Sequence, residues 1–197
     1  LKYQKFRYNS KGTNTMKSLI KSATLSALSI VVMGSTVVAS GAANAMDPIT
    51  GKQGVTTNYI GATAGGSFNT VEDSDQSVFT GGLQGRITTP NAPISLRGAA
   101  LFNDKAAALV PEITYDLAVT DNANIYVGGG YSFITKEDEL TALGNRNAPV
   151  VTVGGEMQVR DNVVVFGNGK MGINAYENTN SDNELAFSVQ AGAAFSF

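Results

Sequence analysis

The stretch Leu185 to Phe197, L-A-F-S-V-Q-A-G-A-A-F-S-F, constrains the fold more than any other part of the chain. Every second residue, from Leu185, Phe187 and Val189 through Ala191 and Ala193 to Phe195 and Phe197, is apolar. The residues between them are Ala186, Ser188, Gln190, Gly192, Ala194 and Ser196, all small or polar. Successive side chains of a strand point to opposite sides of the sheet, so this period of two predicts a strand with one greasy face and one small or polar face.

The alternation recurs along the chain without a helical stretch. Tyr59 to Phe68 sets Ile60, Ala62, Ala64 and Phe68 against Thr63 and Ser67. Val78 to Thr88 sets Phe79, Leu83 and Ile87 against Thr80, Gln84, Arg86 and Thr88. Ile94 to Asn103 sets Ile94, Leu96, Ala100 and Phe102 against Ser95, Arg97 and Asn103. Ala106 to Val119 sets Leu109, Ile113, Tyr115, Leu117 and Val119 against Glu112, Thr114 and Asp116. Ile125 to Phe133, Val150 to Arg160 and Val163 to Tyr176 continue it before the closing strand. The reading is about eight strands of roughly ten residues, long enough to cross a bilayer when tilted.

The connections alternate in character. Thr89 to Pro93, Asp121-Asn122 and Asp161-Asn162 are short, while the loops after the first, fifth and seventh strands are longer and acidic. Asp104-Lys105 is a short turn where a long loop is expected. An antiparallel meander gathers alternate connections at opposite rims, which predicts a short-turn rim and an acidic long-loop rim.

Ahead of the strands, Met16-Lys17-Ser18-Leu19-Ile20-Lys21 is basic, 22–39 is apolar and small, and Ala43-Asn44-Ala45 is a small-x-small pattern. That order is a signal peptide over 16–45, cut after Ala45, rather than a membrane anchor. Residues 1–15 read as a disordered upstream extension, leaving 46–197 as one domain. That part holds all sixteen acidic but only eight basic side chains, a net charge of −8. A nucleic-acid footprint is therefore excluded. With no cysteine and no histidine, disulfides and the commonest general base and metal ligand are missing as well.

Periodicity does not say which face is inside. A soluble barrel buries its apolar face, and a membrane barrel buries the other. Arg86, Arg97, Glu112, Glu156 and Lys170 sit on the polar face near mid-strand, opposite uninterrupted apolar residues. Phe68, Phe79, Phe102, Phe133 and Phe187 lie toward the longer loops, with Phe195 and Phe197, and Tyr59 close by, at the other end. Two such aromatic bands at the ends of an apolar face favour the membrane.

The export signal, the strand set and the terminal Phe197 with Phe195, Ala193, Ala191 and Val189 at alternate places resemble the small outer-membrane β-barrels of Gram-negative bacteria, of the OmpA/OmpX type. The resemblance spans essentially all of 46–197. It implies an all-β, closed, antiparallel up-and-down transmembrane barrel in the outer membrane. It also implies that the assembly machinery reads the last strand through Val189, Phe195 and Phe197. Asp161-Asn162 would then face the periplasm, and Glu137-Asp138-Glu139 would face outward, where acidic loops can meet a surface partner.

Hairpin arithmetic adds detail. If Thr88 pairs with Ser95, Arg86 stands opposite Arg97; if Asn103 pairs with Ala106, Arg97 stands opposite Glu112. Like charges side by side need carboxylates between them, which Glu112 and Glu156 supply. The expectation is an interior charge network of Arg86, Arg97, Glu112, Glu156 and Lys170 filling a narrow lumen, with Arg97 paired to Glu112. Two irregularities follow. Pro111 cannot donate to a ladder, which predicts a bulge or protruding edge there. Glu156 and Lys170 share a face across Asp161-Asn162 only if one residue bulges.

Other motifs weigh little. Gly167-Asn168-Gly169-Lys170 lacks the following helix a phosphate loop needs and reads as strand. Glu72, Asp73 and Asp75 lack a calcium-loop spacing and read as a solvated loop. No cofactor and no enzymatic activity are expected. The favoured function is structural, for envelope integrity or adhesion, in contact with outer-membrane lipid. The alternatives are a narrow porin-like channel and a soluble periplasmic ligand-binding barrel.

Overall fold

In the computed structural model the described residues are 47, 49–69, 78–89, 92–136, 139–176 and 185–197. The expected export signal with Ala43 and Ala45, together with Glu72, Asp73, Asp75 and Glu137-Asp138, lies outside them.

Eight strands follow in order: β1 Tyr59–Asn69, β2 Val78–Thr88, β3 Ile94–Phe102, β4 Ala107–Thr120, β5 Ala123–Ile134, β6 Ala148–Arg160, β7 Val163–Ile173 and β8 Leu185–Ser196. Each pairs antiparallel with its sequence neighbour, and β8 returns to β1, closing the barrel. Along that seam Tyr59 faces Ser196 and Phe68 faces Phe187, so no strand is left with an unpaired edge.

The polarity is inverted relative to a water-soluble protein. Outward residues are greasy and open: Phe79 is 78% exposed, Val153 61%, and Phe68, Ile113 and Phe197 60% each. In water each such side chain forgoes roughly 1.5–3 kcal/mol of burial. Meanwhile Arg86, Arg97, Glu112, Asp116, Glu156 and Lys170 are buried. Closure in a hydrocarbon solvent explains both halves of this pattern, because the wall meets acyl chains and every strand edge is paired within it.

Both register irregularities have a structural counterpart. The β6–β7 ladder slips by one residue between Gln158 and Arg160, which brings Thr152 opposite Lys170 and puts Glu156 on the same inner face. At Pro111 the expectation of a bulge or protruding edge is corrected. The β4–β5 ladder simply lapses between Leu109↔Phe133 and Glu112↔Gly130 and resumes in the same register. Pro111 faces outward and still has Gly98 opposite it on β3. The β4–β5 slip lies lower, between Ala118 and Thr120.

Segments outside the strands pack against the inner wall at both ends of the lumen. At the long-loop rim, the β5–β6 loop drops Ala142 and Leu143 onto inner-wall residues Leu101, Val110, Ile134 and Val150. Its tight turn bonds Thr141 N–H to the Gly144 carbonyl at 2.8 Å. Gly144 has φ +98°, and a Cβ there would lie 2.1 Å from the Ala175 carbonyl oxygen, so the turn requires glycine.

At the short-turn rim, the lead-in before β1 turns into the barrel mouth. Val55 packs with Tyr59, Val164, Phe166 and Ala194. Asp47 anchors the segment's start by accepting from the N–H groups of Ile49 at 2.8 Å, Thr50 at 3.1 Å and Ala118 at 3.3 Å. Burial works against ionisation, yet these backbone donors outweigh it and hold the Asp47 carboxyl below the ordinary carboxylate value. Because the folded value is the lower one, this anchoring is complete above the unfolded value of about 3.9 and is lost as pH falls below it. The amide resonance of Ala118 should accordingly stay fixed through neutral pH and move only below about pH 4. A midpoint near neutrality would contradict this seating of the carboxylate.

Candidate functional site

The densest chemistry in the barrel lies inside, near the short-turn rim. Arg86 on β2 and Arg97 on β3 are direct cross-strand neighbours, as the hairpin arithmetic requires. Two carboxylates stand between them. Asp116 Oδ2 meets Arg86 Nη2 at 2.8 Å, and its Oδ1 meets Arg97 Nη2 at 3.0 Å. Glu156 Oε1 meets Arg86 Nη1 at 2.9 Å, and its Oε2 meets Arg97 Nη1 at 2.8 Å. Each carboxylate thus gives one oxygen to each guanidinium, forming a closed square of four ion pairs across the lumen.

Further donors are also used. Arg86 Nε donates to Ser95 Oγ at 3.0 Å and its Nη1 to the Val55 carbonyl at 2.8 Å. Arg97 Nε donates to Thr114 Oγ1 at 2.9 Å, and its guanidinium lies 3.6 Å from the Tyr126 ring centroid. Ser95 and Thr114 both donate to Asp116. Tyr59 Oη accepts from Arg97 at 2.7 Å and donates to Glu156 at 2.8 Å. Buried charges are tolerated when paired and bonded to this extent, and the rigid guanidinium fork suits two carboxylates at once.

A second pair lies further toward the long loops. Lys170 Nζ contacts both oxygens of Glu112, at 2.6 and 2.7 Å, and Thr152 Oγ1 donates to the same carboxylate at 2.5 Å. Between the two charge groups lies an uncharged polar layer. There Asn168 donates to Gln84 at 3.0 Å, and Thr63 to Gln190 at 3.3 Å.

Geometry corrects two expectations. Arg97 stands opposite Glu112 in the β3–β4 register, but the two do not form an ion pair. Neighbouring side chains of one ladder diverge when better partners project from across the lumen. Arg97 leans to Asp116 and Glu156, and Glu112 leans to Lys170. Tyr59, expected in the aromatic band beside Phe195 and Phe197, points inward at 1% exposure and stacks on Phe166 with centroids 5.7 Å apart. Its parity with Thr63 and Ser67 on β1 carried that signal. Asp116 went unselected although it alternates with Glu112 and Thr114.

Inward glycines make room for this filling. A Cβ on Gly154 would lie 2.5 Å from Tyr126 Oη, and one on Gly192 2.5 Å from the Phe166 ring. Among the described residues no three potential metal ligands converge.

No protein-family model matches the sequence, and no curated protein matches it. Solved structures do resemble the fold. Neisserial surface protein A, NspA, matches with a TM-score of 0.53 at 13% identity, over 71% of this chain and 97% of that one. The N-terminal β-barrel domain of Pseudomonas aeruginosa OprF matches with a TM-score of 0.48 at 12% identity, over 72% and 98%. A de novo designed transmembrane β-barrel matches with a TM-score of 0.46 at 18% identity, over 71% and 95%. At these identities the likeness is one of fold. The chain has the architecture of the small eight-stranded outer-membrane barrels: closed, antiparallel, apolar outside and charged within.

Proposed function

We propose that this chain is an outer-membrane barrel of the Gram-negative type with a structural or surface-binding role, not a conduit. In this reading residues 16–45 export it, cleavage follows Ala45, and the assembly machinery takes hold of the last strand through Val189, Phe195 and Phe197. The long, acidic loops face outward as the surface a partner meets.

The observation that carries the reading is the square of Arg86, Arg97, Asp116 and Glu156. A permeating ion must displace buried groups that already pair with one another at 2.8–3.0 Å. Leu143 with its apolar neighbours at one rim and Val55 at the other add two further barriers. Selective pores instead line their path with groups whose binding is weak enough to release the ion.

The test is reconstitution of the purified barrel in planar bilayers, with folding first established by faster gel migration before heating than after. A folded barrel that gives no unitary conductance is the expected result. Discrete, reproducible conductance steps would replace this reading by the channel. Recovery of a folded, monodisperse species in buffer without detergent would remove the membrane assignment altogether.

A further inference from the structure

The segment before β1 is bound in a way the wall is not. Its contacts with the mouth are made largely through main-chain atoms. Gly54 N–H donates to the Thr120 carbonyl at 3.1 Å, and Gln53 N–H to Asp121 Oδ1 at 3.5 Å. Asn124 then acts as a peptide group turned on its side. Its Oδ1 accepts from Val55 N–H at 3.1 Å, while its Nδ2 donates to the Val55 carbonyl at 3.1 Å. The same carbonyl accepts from Arg86 Nη1 at 2.8 Å. Asn124 Nδ2 also reaches Glu156 at 3.0 Å, so the clamp is itself tied to the ion square.

We propose that the short-turn mouth is a binding site for extended polypeptide backbone, filled in cis by residues 49–57 as a reversible strap that leaves while the eight-stranded wall stays closed. Three observations support this. First, the strap buries little apolar surface: Val55 is its one deeply buried hydrophobic side chain, and Ile49 is 69% exposed. Segments held by few buried apolar contacts open at free energies well below that of global unfolding. Second, Thr57 Oγ1 is buried without a hydrogen-bond partner, so the seat is not fully matched to its occupant. Third, the wall does not need the strap for closure, since β1 pairs along its length with β2 and β8. Undocking would return Arg86, Asn124 and Glu156 to water at that rim.

The chain contains no cysteine, which makes the test direct. Single-cysteine variants Val55→Cys, Ile49→Cys and, as a reporter of the wall, Val110→Cys are folded in detergent micelles and treated with a charged, water-soluble maleimide. Val55→Cys should react at least about tenfold more slowly than Ile49→Cys, and at least about tenfold faster than Val110→Cys, each factor corresponding to about 1.4 kcal/mol of opening. Adding Gly54→Ala should bring the Val55→Cys rate close to that of Ile49→Cys. A Cβ at Gly54 would lie 2.0 Å from Asn124 Oδ1 and 2.8 Å from Ala118 Cβ, on a backbone with φ +67°. That change lies in the strap, so the heat-modifiable gel band should persist; Asn124→Ala provides the same release from the wall side. The proposal fails if Val55→Cys reacts as fast as Ile49→Cys in the otherwise native chain, because no strap is then docked. It fails equally if Val55→Cys reacts no faster than Val110→Cys, or if neither release variant changes its rate.

Discussion

Glu156→Ala is expected to destabilise the folded barrel by about 3–5 kcal/mol, the range seen when one member of a buried charge group is removed. The loss follows from who is left behind. Glu156 bridges Arg86 and Arg97, accepts from Tyr59 and receives the Asn124 amide that clamps the strap. Without it two guanidiniums on adjacent strands share Asp116 alone, one carboxylate against two positive charges. Glu156→Gln retains the shape and some hydrogen bonds, so it should fall between wild type and alanine. Urea titration in micelles, followed by loss of the heat-modifiable band, measures the difference. A change below about 1 kcal/mol, the scale of exposed pairs, would mean that the square is hydrated rather than dry.

The second large effect concerns Glu112 and Lys170. Lys170→Met alone should cost several kcal/mol by leaving Glu112 with Thr152 as its one remaining bonded side chain among the described residues. The double variant Glu112→Gln, Lys170→Met should recover much of that loss, because both charges are removed from the same buried site. The coupling energy of the cycle is expected to be about 2–3 kcal/mol. The parallel cycle on Arg97 and Glu112 should give a much smaller value, although those residues face each other across the β3–β4 ladder. If the two cycles came out reversed, register neighbours rather than partners across the lumen would set the network, and the assignment of Lys170 to Glu112 would be wrong.

That contrast marks where local pattern stops being informative. Alternation at a period of two depends only on neighbours in the chain, so the strands, their two faces and the hairpin registers were legible. Arg86 opposite Arg97, Arg97 opposite Glu112 and the extra residue near Arg160 all came from counting outward from turns. Counting fails where a turn is replaced by closure. Arg97 and Glu156 are 59 residues apart, and Lys170 and Glu112 are 58 apart. Only the curvature of the sheet brings β3 to β6 and β4 to β7 across a shared interior.

The amino-acid order by itself determined that this chain forms about eight two-faced strands, joined alternately by short segments and by longer acidic ones. Strand alternation is enforced by backbone geometry, and loop character follows from chain direction. The tertiary structure alone decided which charges meet, because long side chains choose partners by distance through the lumen and not by register along the ladder. It also decided which residues pack into the two mouths. Leu143 sits between the fifth and sixth strands, and Val55 ahead of the first. Each is buried only because a closed wall offers it an apolar inner surface that neither segment's own sequence contains.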